Sequence, residues 1–150
     1  MFNALRQRAG DEGGFTLIEL LVVILIIGIL AAIAIPAFLS QTSKASDSAA
    51  KTQVGTLQTT METYASEHNG SYAGAELSSL EAIEPTLKDT STAEAEEVKT
   101  PTETGYEVES VAVGTKDKYK LKNADGAITR TCEVPGNSEN TGGGCKAGSW

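Results

Sequence analysis

The sequence predicts an α+β fold: one long N-terminal α-helix, its first half transmembrane, packed against a small antiparallel β-sheet. Three observations carry that expectation. Between Phe15 and Ile35 only Thr16 and Glu19 are polar. Beyond Pro36 the composition turns polar while a helical period persists to about Glu67. From Tyr106 to Val134 the period changes to two.

The apolar run comes first. At about 1.5 Å per residue its twenty-one residues span roughly 31 Å, the thickness of a bilayer's hydrocarbon core. The run is apolar all round, so it is not the one-sided face of a soluble helix. Before it stands a hydrophilic leader, Met1 to Gly14, whose Arg6 and Arg8 hold the N-terminus on the cytoplasmic side. A secretory signal is the rival reading, with Ala32-Ile33-Ala34 as a small-residue cleavage site. Signal cores are shorter and carry no acid. Glu19 sits four residues inside the run, where an unpaired carboxylate is costly. It either snorkels to the interface or meets a positive charge from another subunit.

Gly14-Phe15-Thr16-Leu17-Ile18-Glu19 and the apolar run after it resemble the N-terminal signature of prepilins, the type IV pilin family. The resemblance covers about the first quarter of the chain. It implies cleavage between Gly14 and Phe15 by a membrane-embedded prepilin peptidase, which then N-methylates Phe15. It also implies that Glu19 pairs with the freed Phe15 amine of a neighbouring subunit during fibre assembly. Gly28 and Pro36 stand where the family has a helix-loosening glycine and proline. The acidic Asp11-Glu12 pair departs from the family's all-basic leader, but leaves the cut site intact.

The helix is expected to run from Phe15 to about Glu67, loosened or kinked between Gly28 and Pro36. Residues 15–39 form the membrane or fibre-core part and residues 40–150 a soluble head. Ala50, Val54, Leu57, Met61 and Tyr64 form an a/d-like stripe too short for a coiled coil, hence a face that packs the head. His68-Asn69-Gly70 supplies the stop. Asn69-Gly70-Ser71 also matches a glycosylation sequon, a weak signal in so short a motif.

Residues 71–104 are the least patterned and read as a connection. Leu77, Leu80 and Ile83 predict a short helix ended at Pro85, and 89–104 a polar, acidic surface loop. Within 76–109 there are ten acids against two lysines, a solvated acidic face. No apolar pocket signal surrounds Glu94, Glu96 or Glu97, so no catalytic carboxylate pair is expected.

Three strands are read from 106–134. Tyr106, Val108 and Ser110 alternate with Glu107, Glu109 and Val111; Tyr119 and Leu121 alternate with Lys118, Lys120 and Lys122. Ile128, Arg130, Cys132 and Val134 form a third, less regular alternation. Asp125-Gly126 is a strong hairpin turn. A three- or four-stranded antiparallel meander with one face on the long helix follows. Lys116, Lys118, Lys120 and Lys122 form either a mixed solvated surface or a partner for the acidic face of another head.

The only cysteines are Cys132 and Cys145, and spacing alone does not decide between thiols and a disulfide. A head outside the cytoplasm favours the disulfide. The resemblance makes 132–145 the disulfide-bounded region of a pilin, on the fibre surface. A net charge of −8 argues against a nucleic-acid-binding surface. His68 is the only histidine, and no phosphate-cradling glycine loop, catalytic Ser/His/Asp set or metal spacing is evident. No enzyme, cofactor or metal site is expected.

The function expected is that of a pilin: a single-pass precursor in the cytoplasmic membrane, its head outside, polymerised into an extracellular pilus for adhesion, motility or DNA uptake. Partners are other pilin subunits, the prepilin peptidase and N-methyltransferase, the pilus assembly machinery, and membrane lipid before assembly. A pseudopilin of a type II secretion system is the alternative, though the cysteine pair resembles pilins more and no pseudopilin calcium loop is found. A single-pass anchored binding domain or enzyme is the reading from another class.

Overall fold

The computed structural model describes residues 14–91 and 93–150, with backbone alone at 95–97. Apart from Gly14, the leader expected over residues 1–14 lies outside the described residues, Arg6 and Arg8 with it. The element order is α1 (Leu17–Glu67), α2 (Leu77–Ile83), a 3-10 turn (Pro85–Lys88), β1 (Ala93–Lys99), β2 (Gly105–Ala112), β3 (Lys118–Ala124) and β4 (Ala127–Glu133). Chain contacts divide the molecule between Phe38 and Leu39.

In the N-terminal unit α1 is helical through Gly28 and onward through Pro36. Its large side chains are exposed all round, from Val22 at 46% to Leu17 at 75%. A helix with no polar face and no covering element has its stabilising environment elsewhere.

From Leu39 on, α1 belongs to the head. The stripe Ala50, Val54, Leu57, Met61 and Tyr64 is buried, as its spacing predicts. Four of the threonines between them are tolerated because each hydroxyl donates back to a carbonyl one turn earlier: Thr52 to Ser48, Thr56 to Thr52, Thr60 to Thr56 and Thr63 to Thr59. The helix stops where expected. Asn69 takes a left-handed φ of 57°, and the Gly70 amide donates to the Ala65 carbonyl at 2.7 Å, a Schellman closure.

The sheet is a four-stranded antiparallel meander in the order β1-β2-β3-β4. Val108 opposite Leu121, and Ser110 opposite Tyr119, place the inward residues against the α1 stripe. Asp125 and Gly126, at φ 52° and 87°, form the two-residue turn that pairs Ala124 with Ala127. β4 is exposed along most of its length, and Cys132 is its buried residue.

One expectation is corrected. Within the loop predicted for 89–104, residues Ala93–Lys99 form the edge strand β1, paired with β2 and irregular between Ala95 and Val98. Ala-Glu-Ala-Glu-Glu has low intrinsic strand preference, so its conformation comes from the β2 ladder beside it. Ala93 and Val98 join the core side of the strand.

Candidate polymerisation site

Gly14, Phe15 and Thr16 precede the helix in non-helical backbone and are exposed, Phe15 at 92%. The Gly14–Phe15 bond therefore lies in an exposed, non-helical segment. Thr16 caps α1. Its backbone N–H and hydroxyl both donate to Glu19 Oε2, at 2.9 and 2.7 Å, and the Glu19 N–H donates back to Thr16 Oγ1 at 3.3 Å. This is a capping box, the N-cap and N3 residues closing each other's free backbone groups. Sequence reasoning read Glu19 as a charge that snorkels to the interface or meets a partner from another subunit, and missed the cap. The Thr-x-x-Glu spacing was the overlooked signal.

Downstream, Leu21, Ile24, Leu25, Gly28, Ile29 and Ala32 line one open apolar groove along α1. Gly28 and Ala32, four residues apart, are the small residues that let another helix approach closely. Nothing lies within 4 Å of where a Gly28 Cβ would be. Helix α1 is long and apolar enough to cross a membrane, and its apolar window is unburied.

Cys132 and Cys145 form a disulfide with a Cα separation of 5.9 Å. The tail it encloses is further fastened by Tyr119, whose hydroxyl donates to the Gly143 carbonyl, and by Lys51, which donates to the Gly144 carbonyl. Trp150 Nε1 donates to the Thr131 carbonyl at 2.9 Å, while Arg130 lies over its ring. Lys118 and Lys120, read as surface charge, instead converge with Lys99 on the buried carboxylate of Glu109, at 3.2 to 3.4 Å. Burial opposes ionisation there, but hydrogen bonds from Lys99 and Lys118 and the charge of Lys120 outweigh it and hold Glu109 below the usual carboxylate range. Among the described residues no group of three or more His, Cys, Asp or Glu side chains is placed to share a metal ion.

The apolar, box-capped start of α1 and the helix-backed four-stranded meander define a class by fold: α+β, type IV pilin-like. The comparisons bear on about a third of the chain. A family model for the prokaryotic N-terminal methylation motif matches residues 11–35. The chain is 52% identical over 54 residues to the type IV major pilin protein PilA of Myxococcus xanthus, covering 36% of this chain and 24% of that one. It is 46% and 48% identical over 52 residues to two type IV major fimbrial proteins FimA of Dichelobacter nodosus, covering 35% of this chain and 33% of each. The aligned region thus spans a quarter to a third of those relatives. No solved structure gives a significant match.

Proposed function

We propose that the chain is a structural subunit of a type IV pilus, polymerised through α1. The single observation that carries the reading is the exposed apolar helix opening on Gly14-Phe15-Thr16-Leu17-Ile18-Glu19. About twenty uncovered Leu, Ile, Val and Ala side chains demand lipid or other copies of the same helix. Before assembly the helix rests in the cytoplasmic membrane with the head outside. A prepilin peptidase cuts between Gly14 and Phe15 and methylates the new N-terminus.

Extraction by the assembly machinery then moves the helix from lipid into a fibre core. There the Phe15 amine of one subunit and Glu19 of a neighbour neutralise each other, since a charge in an apolar core must be paired. Gly28 and Pro36 are where the helix loosens to fit its neighbours. The role is structural rather than catalytic.

Intact mass and N-terminal sequencing of protein sheared from the cell surface test this. The expected species begins at N-methylated Phe15 and is two hydrogens lighter than the dithiol chain. A chain beginning at Met1, or cut after Ala34, overturns the proposal and leaves an anchored or secreted domain.

A further inference from the structure

The head holds a second polar constellation besides the Glu109 cluster. Asp47, on α1, and Asp117, just before β3, are 1% and 4% exposed. Thr115 Oγ1 donates to Asp47 Oδ1 at 2.5 Å, but Asp47 Oδ2, though buried, has no hydrogen-bond partner among the described residues. Both Asp47 Oδ2 and Asp117 Oδ2 face Gly143, so closely that a Cβ there would collide with the two carboxylates at once. Gly142, Gly143 and Gly144 all have positive φ, which lays bare backbone over the pair.

Two adjacent carboxylates removed from water are costly unless something positive lies between them or they share a proton. The near cation is turned away: Lys51, one turn beyond Asp47, gives its Nζ to the Gly144 carbonyl at 3.0 Å. A proton shared by the two carboxyls is the other way to neutralise the pair, and a thermal midpoint indifferent to Ca2+ is its signature. The groups that face one another there are oxygen donors alone, two carboxylates and the Thr115 hydroxyl, while the Gly142, Gly143 and Gly144 carbonyls accept from the Cys145 N–H, the Tyr119 hydroxyl and Lys51. That donor set, flexible and without nitrogen or sulfur, suits calcium.

We propose that Asp47 and Asp117, beneath the Gly142–Gly144 loop, form a calcium-binding site of the head. The ion is held by the two Oδ2 atoms, with Thr115 Oγ1 beside them and water completing the shell. It bridges three segments distant in sequence: α1, the β2–β3 connection and the disulfide-bounded tail. Its effect is to fasten the tail to the helix.

The test uses the full-length chain in detergent, stripped with chelator. Added Ca2+ raises the thermal midpoint by several degrees, and Tb3+ in its place luminesces on excitation of the aromatic residues, Tyr119 nearest among them. Asp117→Asn weakens both responses at least about tenfold, and Asp47→Asn does the same if it folds. The wild-type Tb3+ signal and its competition by Ca2+ carry the test without the second variant. No Ca2+-dependent shift in the wild type, an equal response to Mg2+, or an unchanged response in Asp117→Asn overturns the site.

Discussion

At the scale of single residues, two positions show how burial turns an ordinary side chain into a constraint. Glu109 is enclosed by Lys99, Lys118 and Lys120, and its pKa is lowered in the folded state. A depressed carboxylate contributes stability above its unfolded pKa of about 4.3 that is lost as pH falls through the lower, folded value. Glu109→Gln leaves three lysines facing a neutral amide and is expected to cost roughly 2 kcal/mol at pH 7. The difference from wild type should shrink below about pH 4. Urea unfolding across that range checks it, and a constant difference at all pH values refutes it. Gly143 is constrained from the other direction, by a φ of 54° and by two carboxylates where a Cβ would go. Gly143→Ala is expected to destabilise the head by about 1–3 kcal/mol, read as a lower thermal midpoint. Neither residue was visible as special in the sequence. Alternation placed Glu109 on a solvated face, and the contact of Gly143 with Asp47 joins positions almost a hundred residues apart.

At the scale of elements, α1 does two jobs with two codes. Its second half was legible because a stripe at helical spacing is local information, and Leu57, Met61 and their neighbours are buried as that stripe requires. Leu57→Ala should cost the head about 3 kcal/mol and leave membrane insertion unchanged, since the apolar run is untouched. Denaturant unfolding and membrane fractionation separate the two effects. β1 was not legible because its alanines and glutamates lack strand preference, and its order comes from the β2 ladder and from Ala93 and Val98 against the core. At the first turn of α1, Glu19 serves the capping box in the single subunit, and on the proposed function its charge serves the fibre. Glu19→Gln divides these roles. Glutamine keeps a capping box but carries no charge. Fibre yield should therefore collapse in Glu19→Gln as fully as in Glu19→Ala, with both proteins still in the membrane. Fibres from the Gln variant but not from Ala would assign Glu19 to capping alone.

At the scale of the whole molecule, the head is closed by its C-terminus. The tail is rich in glycine and asparagine and buries little of its own, so non-local ties hold it. They include the Cys132–Cys145 bond, Tyr119 and Lys51 on the glycine carbonyls, the Cys132 N–H on the Gly148 carbonyl, and Trp150 under Arg130. The spacing of the cysteines left their pairing open; the fold brings them together because β4 presents Cys132 inward while the Gly142–Gly144 turn returns the chain to it. Closing that loop removes unfolded-state freedom equivalent to about 3 kcal/mol in the chain-entropy model. Replacing both cysteines by serine should lower the thermal midpoint by on the order of 10 °C. The remaining ties are too few to offset that loss, since each contributes only about 1 kcal/mol. A midpoint within a degree or two of wild type would mean that Trp150 and the two carbonyl contacts already order the tail. The substitutions leave the apolar run of α1 unchanged, so the double variant should still enter the membrane. Comparing its yield in the membrane with its yield in sheared fibres tells whether a loosened tail is tolerated once subunits pack against one another.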